Sequence, residues 1–218
     1  MSQSRKRLRV GLSDESPFII YTLQSILSAE FNHLEIYTYP PDTKNLLLRL
    51  REDTPDILIT DSFFSFDRNN LNGVSKLEEI HKQSSDLKIL VFTASRSLNF
   101  LKRVLQVPVS AVVSKRDDIQ DLVKAVHWIS SSHSSVYYSE KMKDLAHLAS
   151  TQPTQNLLSP SEMEVIRLFA MGHSLMEIAK VRSRSISTVA TQKYNAMRKL
   201  HLSTNTELIK YVFAHELI

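Results

Sequence analysis

Asp56-Ile57-Leu58-Ile59-Thr60-Asp61 is the stretch on which the fold of this 218-residue chain turns. A short unbroken apolar run, rich in β-branched residues and bounded by polar ones, reads as a strand with both faces covered. Four other runs share that character: Leu8 to Ser13 and Leu34 to Tyr39 before it, Lys88 to Phe92 and Ser110 to Val113 after it. Between them the apolar period changes from a run to a helical stripe. Pro17 to Phe31 places Ile20, Leu23, Ile26 and Leu27 on one face; Leu71 to His81 does so with Leu71, Val74, Leu77 and Ile80; Asp117 to Ile129 does so with Ile119, Leu122, Val123 and Val126. Strands alternating with helices require right-handed crossovers, which predicts an α/β fold: a doubly wound, five-stranded parallel sheet with helices on both faces.

In such a sheet ligands gather at the carboxyl ends of the strands. Asp14 and Glu15 follow the first strand, Asp61 the third, Thr93 the fourth and Lys115 the fifth. One aspartate at a strand end is usually a turn residue or a helix cap. Five polar residues at successive strand ends form a pattern, because a parallel sheet brings those ends to one edge. The chemistry that uses all five is phosphoryl transfer to a carboxylate. Asp14, Glu15 and Asp61, with a backbone carbonyl such as that of Phe63, are hard oxygen ligands suited to Mg²⁺. Asp61 is the candidate nucleophile toward phosphorus. Thr93 and Lys115 are the candidate partners of the phosphoryl oxygens.

Beyond residue 130 the alternation dissolves into Ser130 to Ser135 and a polar stretch around Pro153. We therefore expect one domain over residues 1–132, a linker over 133–156 and a second domain over 157–218. The second domain is helical throughout. Ser159-Pro160-Ser161-Glu162 carries a cap, a proline suited to the first helical position and the glutamate of a capping box. Val165, Ile166, Leu168 and Phe169 make the apolar stripe, and Gly172 falls where a left-handed C-terminal cap belongs. A short helix over Leu175 to Lys180, a longer one from Ser187 and a last one over Asn205 to Leu217 complete a small all-α helix-turn-helix domain.

The first half, over roughly residues 8 to 130, resembles the receiver domains of two-component response regulators. Their acidic pair, phosphoacceptor, hydroxyl and lysine are met by Asp14, Glu15, Asp61, Thr93 and Lys115, and Pro17 fits the start of the first helix. The resemblance implies a flavodoxin-like fold, Mg²⁺ as cofactor, and phosphate received from a histidine kinase or phosphotransfer protein. Two departures stand out. The loop after Asp61 reads Ser62-Phe63-Phe64-Ser65-Phe66-Asp67 in place of the usual Met-Pro-Gly, and the fifth strand, Ala111-Val112-Val113, lacks the aromatic many receivers use as a switch.

The second half resembles the LuxR-type helix-turn-helix of the NarL/FixJ class. It does so through Leu158, Ser159, Pro160, Glu162, Glu164 and Val165, then Gly172, Glu177, Ile178 and Ala179, then Ser187, Thr188 and Val189, and finally Met197, Lys199 and Leu200. Within that class the wording is similar to the capsule-synthesis regulators of the Rcs phosphorelay and their relatives. The resemblance implies double-stranded DNA as partner, with the helix from Ser187 in the major groove. Ala190, Thr191 and Tyr194 are then the candidates for base edges. Lys193, Arg198, Lys199, Arg184, Ser185, Ser187 and Thr188 are the candidates for phosphate contacts. The class often has Lys at the position of Ala190 and His at that of Gln192, so the recognised sequence cannot be borrowed from it. The last helix implies a dimer, of two copies or with a related regulator.

Charge agrees with that division. Residues 155–218 carry eight Lys/Arg against five Asp/Glu, whereas residues 1–154 carry nineteen against eighteen. A basic second half suits phosphate. No apolar run approaches the ~20 residues that span a bilayer, there is no cysteine, and the basic start is followed by residues too polar for a signal peptide. No membrane and a bacterial cytoplasmic site, on the nucleoid when DNA-bound, are the expectations. With three glycines, no phosphate-cradling loop and no hydrolase motif, no enzyme is expected. Two readings remain: a DNA-binding regulator gated by phosphorylation of Asp61, and an auxiliary regulator whose receiver-like domain docks another regulator as a heterodimer.

Overall fold

The computed structural model describes residues 7–61, 73–95, 98–131, 133–151, 158–200, 202–214 and 217. They fall into two compact units, Met1–Ser150 and Thr151–Ile218.

The first unit runs β1 (Leu8–Ser13), α1 (Pro17–Glu30), β2 (Leu34–Thr38), α2 (Thr43–Glu52), β3 (Ile57–Thr60), α3 (Val74–Gln83), β4 (Lys88–Thr93), α4 (Leu98–Val104), β5 (Ala111–Ser114), α5 (Ile119–Ser130), β6 (Tyr137–Tyr138) and α6 (Glu140–Thr151). Its sheet is parallel throughout, in the order β2-β1-β3-β4-β5-β6. The chain winds both ways from β1, as a doubly wound fold requires.

Alternate residues of the central strands enter opposite cores. Ile57, Ile59, Leu90, Phe92, Ala111 and Val113 join Leu23 and Leu27 of α1 and Leu122 and Val126 of α5. Leu58, Ile89, Val91 and Val112 face the other way, against Leu46 and Leu50 of α2, Leu77 and Ile80 of α3, and Leu101 and Val104 of α4. Both faces of β3 are thus covered, which is why its sequence shows no polar alternation.

The expected linker contains structure. From residue 137 it forms β6, paired parallel to β5, and α6, whose Met142, Ala146 and Ala149 extend the second core. Ser139 fixes the join: its hydroxyl accepts from the Ser114 amide at 3.0 Å. Asp121 of α5 accepts from the Glu140 amide at 3.2 Å, at the start of α6. A two-residue strand gives too little period to be seen, and the serine-rich approach to it reads as a loop. Residues 152–156 of that stretch lie outside the described residues.

The second unit holds α7 (Pro160–Ala170), α8 (Leu175–Val181), α9 (Ile186–Lys199) and α10 (Asn205–Ala214). Its cores are small. Val165, Leu168, Ile178, Ala179 and Val189 join α7 to α8 and α9; Ile166, Ala196, Leu208 and Val212 join α7, α9 and α10. Short helices with little burial depend on their ends. The Ser159–Glu162 capping box is present, with the Ser159 amide donating to Glu162 Oε2 at 2.7 Å. Ser174 and Glu177 form a second box on α8, and Ser185 caps α9. Gly172, at φ 89°, takes the left-handed position between α7 and α8. Glu162 is also buried, and Lys199 reaches it from α9 at 2.7 Å. Burial works against the Glu162 carboxylate, but the bonds from Lys199 and Ser159 together outweigh it and hold its pKa below the usual glutamate value.

Two outcomes are expected. A Cβ at Gly11 would lie 2.7 Å from Cε2 of Tyr39, whose ring is buried and whose hydroxyl donates to the Asp53 carbonyl at 2.7 Å. The ring is held at both ends, so Gly11→Ala should destabilise the first unit by about 1–3 kcal/mol in urea unfolding. Glu162→Gln keeps an acceptor for the Ser159 amide but loses the charge that Lys199 pairs with, and should cost about 1–2 kcal/mol at pH 7. The pKa of Glu162 is depressed on folding, so its contribution is present above the unfolded value and is lost as pH falls through the folded one. Denaturation of both proteins at pH 7 and near pH ~3 should show the difference shrinking in acid.

Candidate phosphoacceptor pocket and helix-turn-helix surface

Register brings the pocket together. Ser13 is level with Thr60, Thr60 with Val91, and Thr93 with Ser114. The residue after each strand therefore leaves the sheet at the same edge. The Asp61 amide donates to the Ser13 carbonyl at 3.2 Å and the Lys115 amide to the Thr93 carbonyl at 2.8 Å, so the backbone ladder continues into the pocket.

Three of the five expected side chains meet directly. Lys115 Nζ lies 2.6 Å from Asp14 Oδ2 and 2.5 Å from Asp61 Oδ2. All three side chains are largely shielded from water, at 13%, 5% and 12% exposure. Burial alone would lower the pKa of Lys115, but the charge of Asp61 and the hydrogen bonds of both carboxylates reverse that and hold it above the usual lysine value. The ammonium also stands 5.7 Å from the centre of the Phe92 ring. Asp14 is fixed from its other oxygen, which accepts from the Ser16 amide at 2.9 Å. Thr93 is buried, and its hydroxyl accepts from the Ser95 amide at 3.1 Å.

Glu15 behaves differently. It is exposed, and among the described residues no group of three or more His, Asp or Glu is arranged to hold a metal ion. Asp14 and Asp61 do converge on one cation, the Lys115 ammonium, and their oxygens are the hard donors that Mg²⁺ takes. The pair fits such an ion; the expected triad is not formed. The Phe63 carbonyl expected beside it lies outside the described residues, as does the rest of the loop over 62–72.

One further residue at this edge escaped the sequence reading. Lys76, on α3, is wholly buried, and its Nζ donates to Thr60 Oγ1 at 2.9 Å and to the Asp61 carbonyl at 3.1 Å. Burial pushes its pKa well below the ordinary lysine value, against the pull of Asp61, Asp14 and Asp42. At sequence level it is a polar residue on an amphipathic helix, indistinguishable from a solvated lysine.

In the second unit the candidate residues divide into two groups. Thr191, Tyr194 and Arg198 are exposed on α9, Tyr194 at 66%, and Ala190 is half-buried beside them. At the start of α9 Arg184, Ser185, Ser187 and Thr188 are all exposed. The Ser185 hydroxyl pairs with Ser187 Oγ at 2.8 Å and Thr188 Oγ1 at 2.7 Å. Hydroxyls and the amides of a helix N-terminus together suit a phosphate. Lys193 and Lys199 differ: Lys193 sits 4.0 Å from the Phe169 ring centre and donates to Asn205 Oδ1 at 2.6 Å, while Lys199 is held by Glu162. Both cations tie α9 to neighbouring segments of its own domain.

Comparison with known proteins accords with both halves. The family model of the response regulator receiver domain matches residues 10–127, and that of the luxR family of bacterial regulatory proteins matches residues 156–212. The chain is 27% identical over 205 residues to the transcriptional regulatory protein RcsB of Escherichia coli K12, covering 94% of each. It is 25% identical over 218 residues to the response regulator protein VraR of Staphylococcus saprophyticus, covering 97% of this chain and 99% of that one. Among solved structures it is similar to RcsB of Salmonella typhimurium, with a TM-score of 0.71, 27% identity and coverage of 96% and 98%. A second similarity is to Salmonella RcsB bound to the promoter rprA with the phosphomimetic BeF₃⁻, with a TM-score of 0.68, 26% identity and coverage of 95% and 98%. With a receiver over more than half its length and a luxR-family domain after it, the chain belongs to the response regulators and is a DNA-binding transcription regulator of the RcsB-like kind.

Proposed function

We propose that the receiver gates DNA binding through phosphorylation of Asp61. The observation that carries this reading is the meeting of Asp14, Asp61 and Lys115 at the carboxyl edge of the sheet, with Thr93 ending the neighbouring strand. A carboxylate oxygen of Asp61 forms the bond to phosphorus as the bond to the donor's leaving group breaks. Lys115 exchanges part of its carboxylate pairing for a phosphoryl oxygen, and the Thr93 hydroxyl donates to another. Asp14 and Asp61 would hold Mg²⁺, which supplies charge neutralisation on the phosphoryl oxygens. The donor is a histidine kinase or phosphotransfer protein.

In the second unit α9 enters the major groove of double-stranded DNA. Thr191, Tyr194 and Ala190 face base edges; Arg184, Ser185, Ser187, Thr188 and Arg198 take phosphates. Lys193 and Lys199 act in the fold of the domain that presents them. The chain works in the bacterial cytoplasm as a dimer, of two copies or with a related regulator; RcsB has been solved as dimers bound to DNA. Among the described residues no helix is long and apolar enough to cross a membrane.

Acetyl phosphate with Mg²⁺ should raise both dimer mass and DNA affinity, and Asp61→Ala should abolish the rise. If wild type and Asp61→Ala respond alike, the receiver is a docking domain and the heterodimer reading replaces this one. In salt titrations Arg184→Ala should weaken binding to all sequences and reduce the slope by about one. Tyr194→Ala and Thr191→Ala should instead change the preference among sequences.

A further inference from the structure

α6 is the last element of the first unit, and the chain passes from its end into the second. The first amides of a helix have no partner within it, and in α6 they are closed from another segment. The Glu140 amide donates to Asp121 Oδ2 at 3.2 Å and the Lys141 amide to Asp117 Oδ2 at 3.1 Å. Asp118, between them in sequence, caps its own helix α5 through the Gln120 amide at 2.8 Å. Lys141 returns the contact: its Nζ donates to the Arg116 carbonyl and lies 3.5 Å from Asp117 Oδ1. The Asp117 side chain is only 3% exposed, and a carboxylate so shielded depends on such partners.

The segment that supplies this cap begins at the phosphoacceptor pocket. Lys115, its ammonium divided between Asp14 and Asp61, stands between Ser114 and Arg116 in a tight turn. Ser114 Oγ accepts from the Arg116 amide at 3.1 Å, and the Ser114 carbonyl from the Asp117 amide at 3.1 Å. The Ser114 amide donates to the Ser139 hydroxyl, directly before α6. Asp121, by contrast, belongs to α5 and also accepts from the Tyr137 hydroxyl of β6 at 3.3 Å. α6 therefore starts from one anchor on a helix and one on the turn that carries Lys115.

We propose that the first turn of α6 senses the phosphoacceptor pocket, with Asp117 as the positioning residue that loosens its hold when Asp61 is phosphorylated. The inference rests on the reading that Asp61 takes phosphate. A phosphoryl group on Asp61 claims the space of an ammonium now 2.5 Å from Oδ2. Lys115 withdraws, and the turn over 114–117 shifts with it. Hydrogen bonds weaken steeply once distance and angle are lost, so the Lys141 amide is released. Met142, Ala146 and Ala149 keep α6 packed in the core meanwhile. The change reaches the last element before the second unit without unfolding the first.

The test is amide exchange in the full chain, followed by NMR with and without acetyl phosphate and Mg²⁺, while mass spectrometry counts the phosphoryl groups bound. In wild type the Lys141 amide should exchange about fivefold faster once Asp61 is phosphorylated, the effect of losing one helix cap. In Asp61→Ala the reagent should leave its rate unchanged. Asp117→Ala should show the faster rate from the start and no further rise when phosphorylated. If wild type carries the phosphoryl group and its Lys141 amide keeps its rate or slows, Asp117 is merely structural: the proposal is overturned and the phosphoacceptor reading stands. A further rise of the wild-type size in Asp117→Ala overturns it as well. If wild type takes up no phosphoryl group, the phosphoacceptor reading falls and the proposal falls with it. Should Asp117→Ala fail to fold, the comparison of wild type with Asp61→Ala decides alone.

Discussion

The ion pairs of Lys115 with Asp14 and Asp61 join three segments separated by 54 and 101 residues at one point. Two carboxylates brought to one edge of a sheet repel, and in a shielded place that repulsion is not relieved by water. A cation between them is therefore a condition of the arrangement. The parallel register of β1, β3, β4 and β5 makes the meeting geometrically unavoidable, and Lys115 makes it electrostatically tolerable. The same ammonium is the group a phosphoryl oxygen would compete for, so the resting structure and the proposed reaction use one interaction in two ways.

The second unit solves a different problem. Its helices are short and its cores small, so much of its definition comes from helix ends: two capping boxes, the Ser185 cap and Gly172 in the left-handed region. Glu162 shows how closely these are combined. One carboxylate closes the α7 box and receives Lys199 from α9. Lys193 does similar work through Phe169 and Asn205. Both cations thus help to hold α9 against neighbouring segments of its own domain. Exposed beside them are hydroxyls and Arg184 at the helix start and Thr191, Tyr194 and Arg198 along it.

Much of this was readable from residues alone, and where it was not the cause is physical. β1 was legible to the residue because apolar runs between polar ends have few other interpretations. The α7 box is legible because its residues are three apart. The box of Ser174 and Glu177 passed unnoticed, since a seven-residue helix shows little periodicity around it. β6 and α6 were hidden because two tyrosines do not make a visible strand and their partners lie in β5 and α5. Glu15 is exposed while Asp14 is buried, a difference that two adjacent acidic residues do not show in sequence.

The sequence by itself determined the class of fold, the order of the five main strands, the helical character of the second half and the residue types waiting at each strand end, because these follow from local periodicity and local caps. Only the tertiary structure decided which cations face solvent and which face protein. Lys76, Lys115, Lys193 and Lys199 are one residue type, and nothing in their immediate sequence says that the first is sealed under Asp61, the second divided between two aspartates, the third laid on a ring and the fourth bound to a helix cap. The state of a charge is set by the groups that surround it in space, and those are contributed by segments far away along the chain.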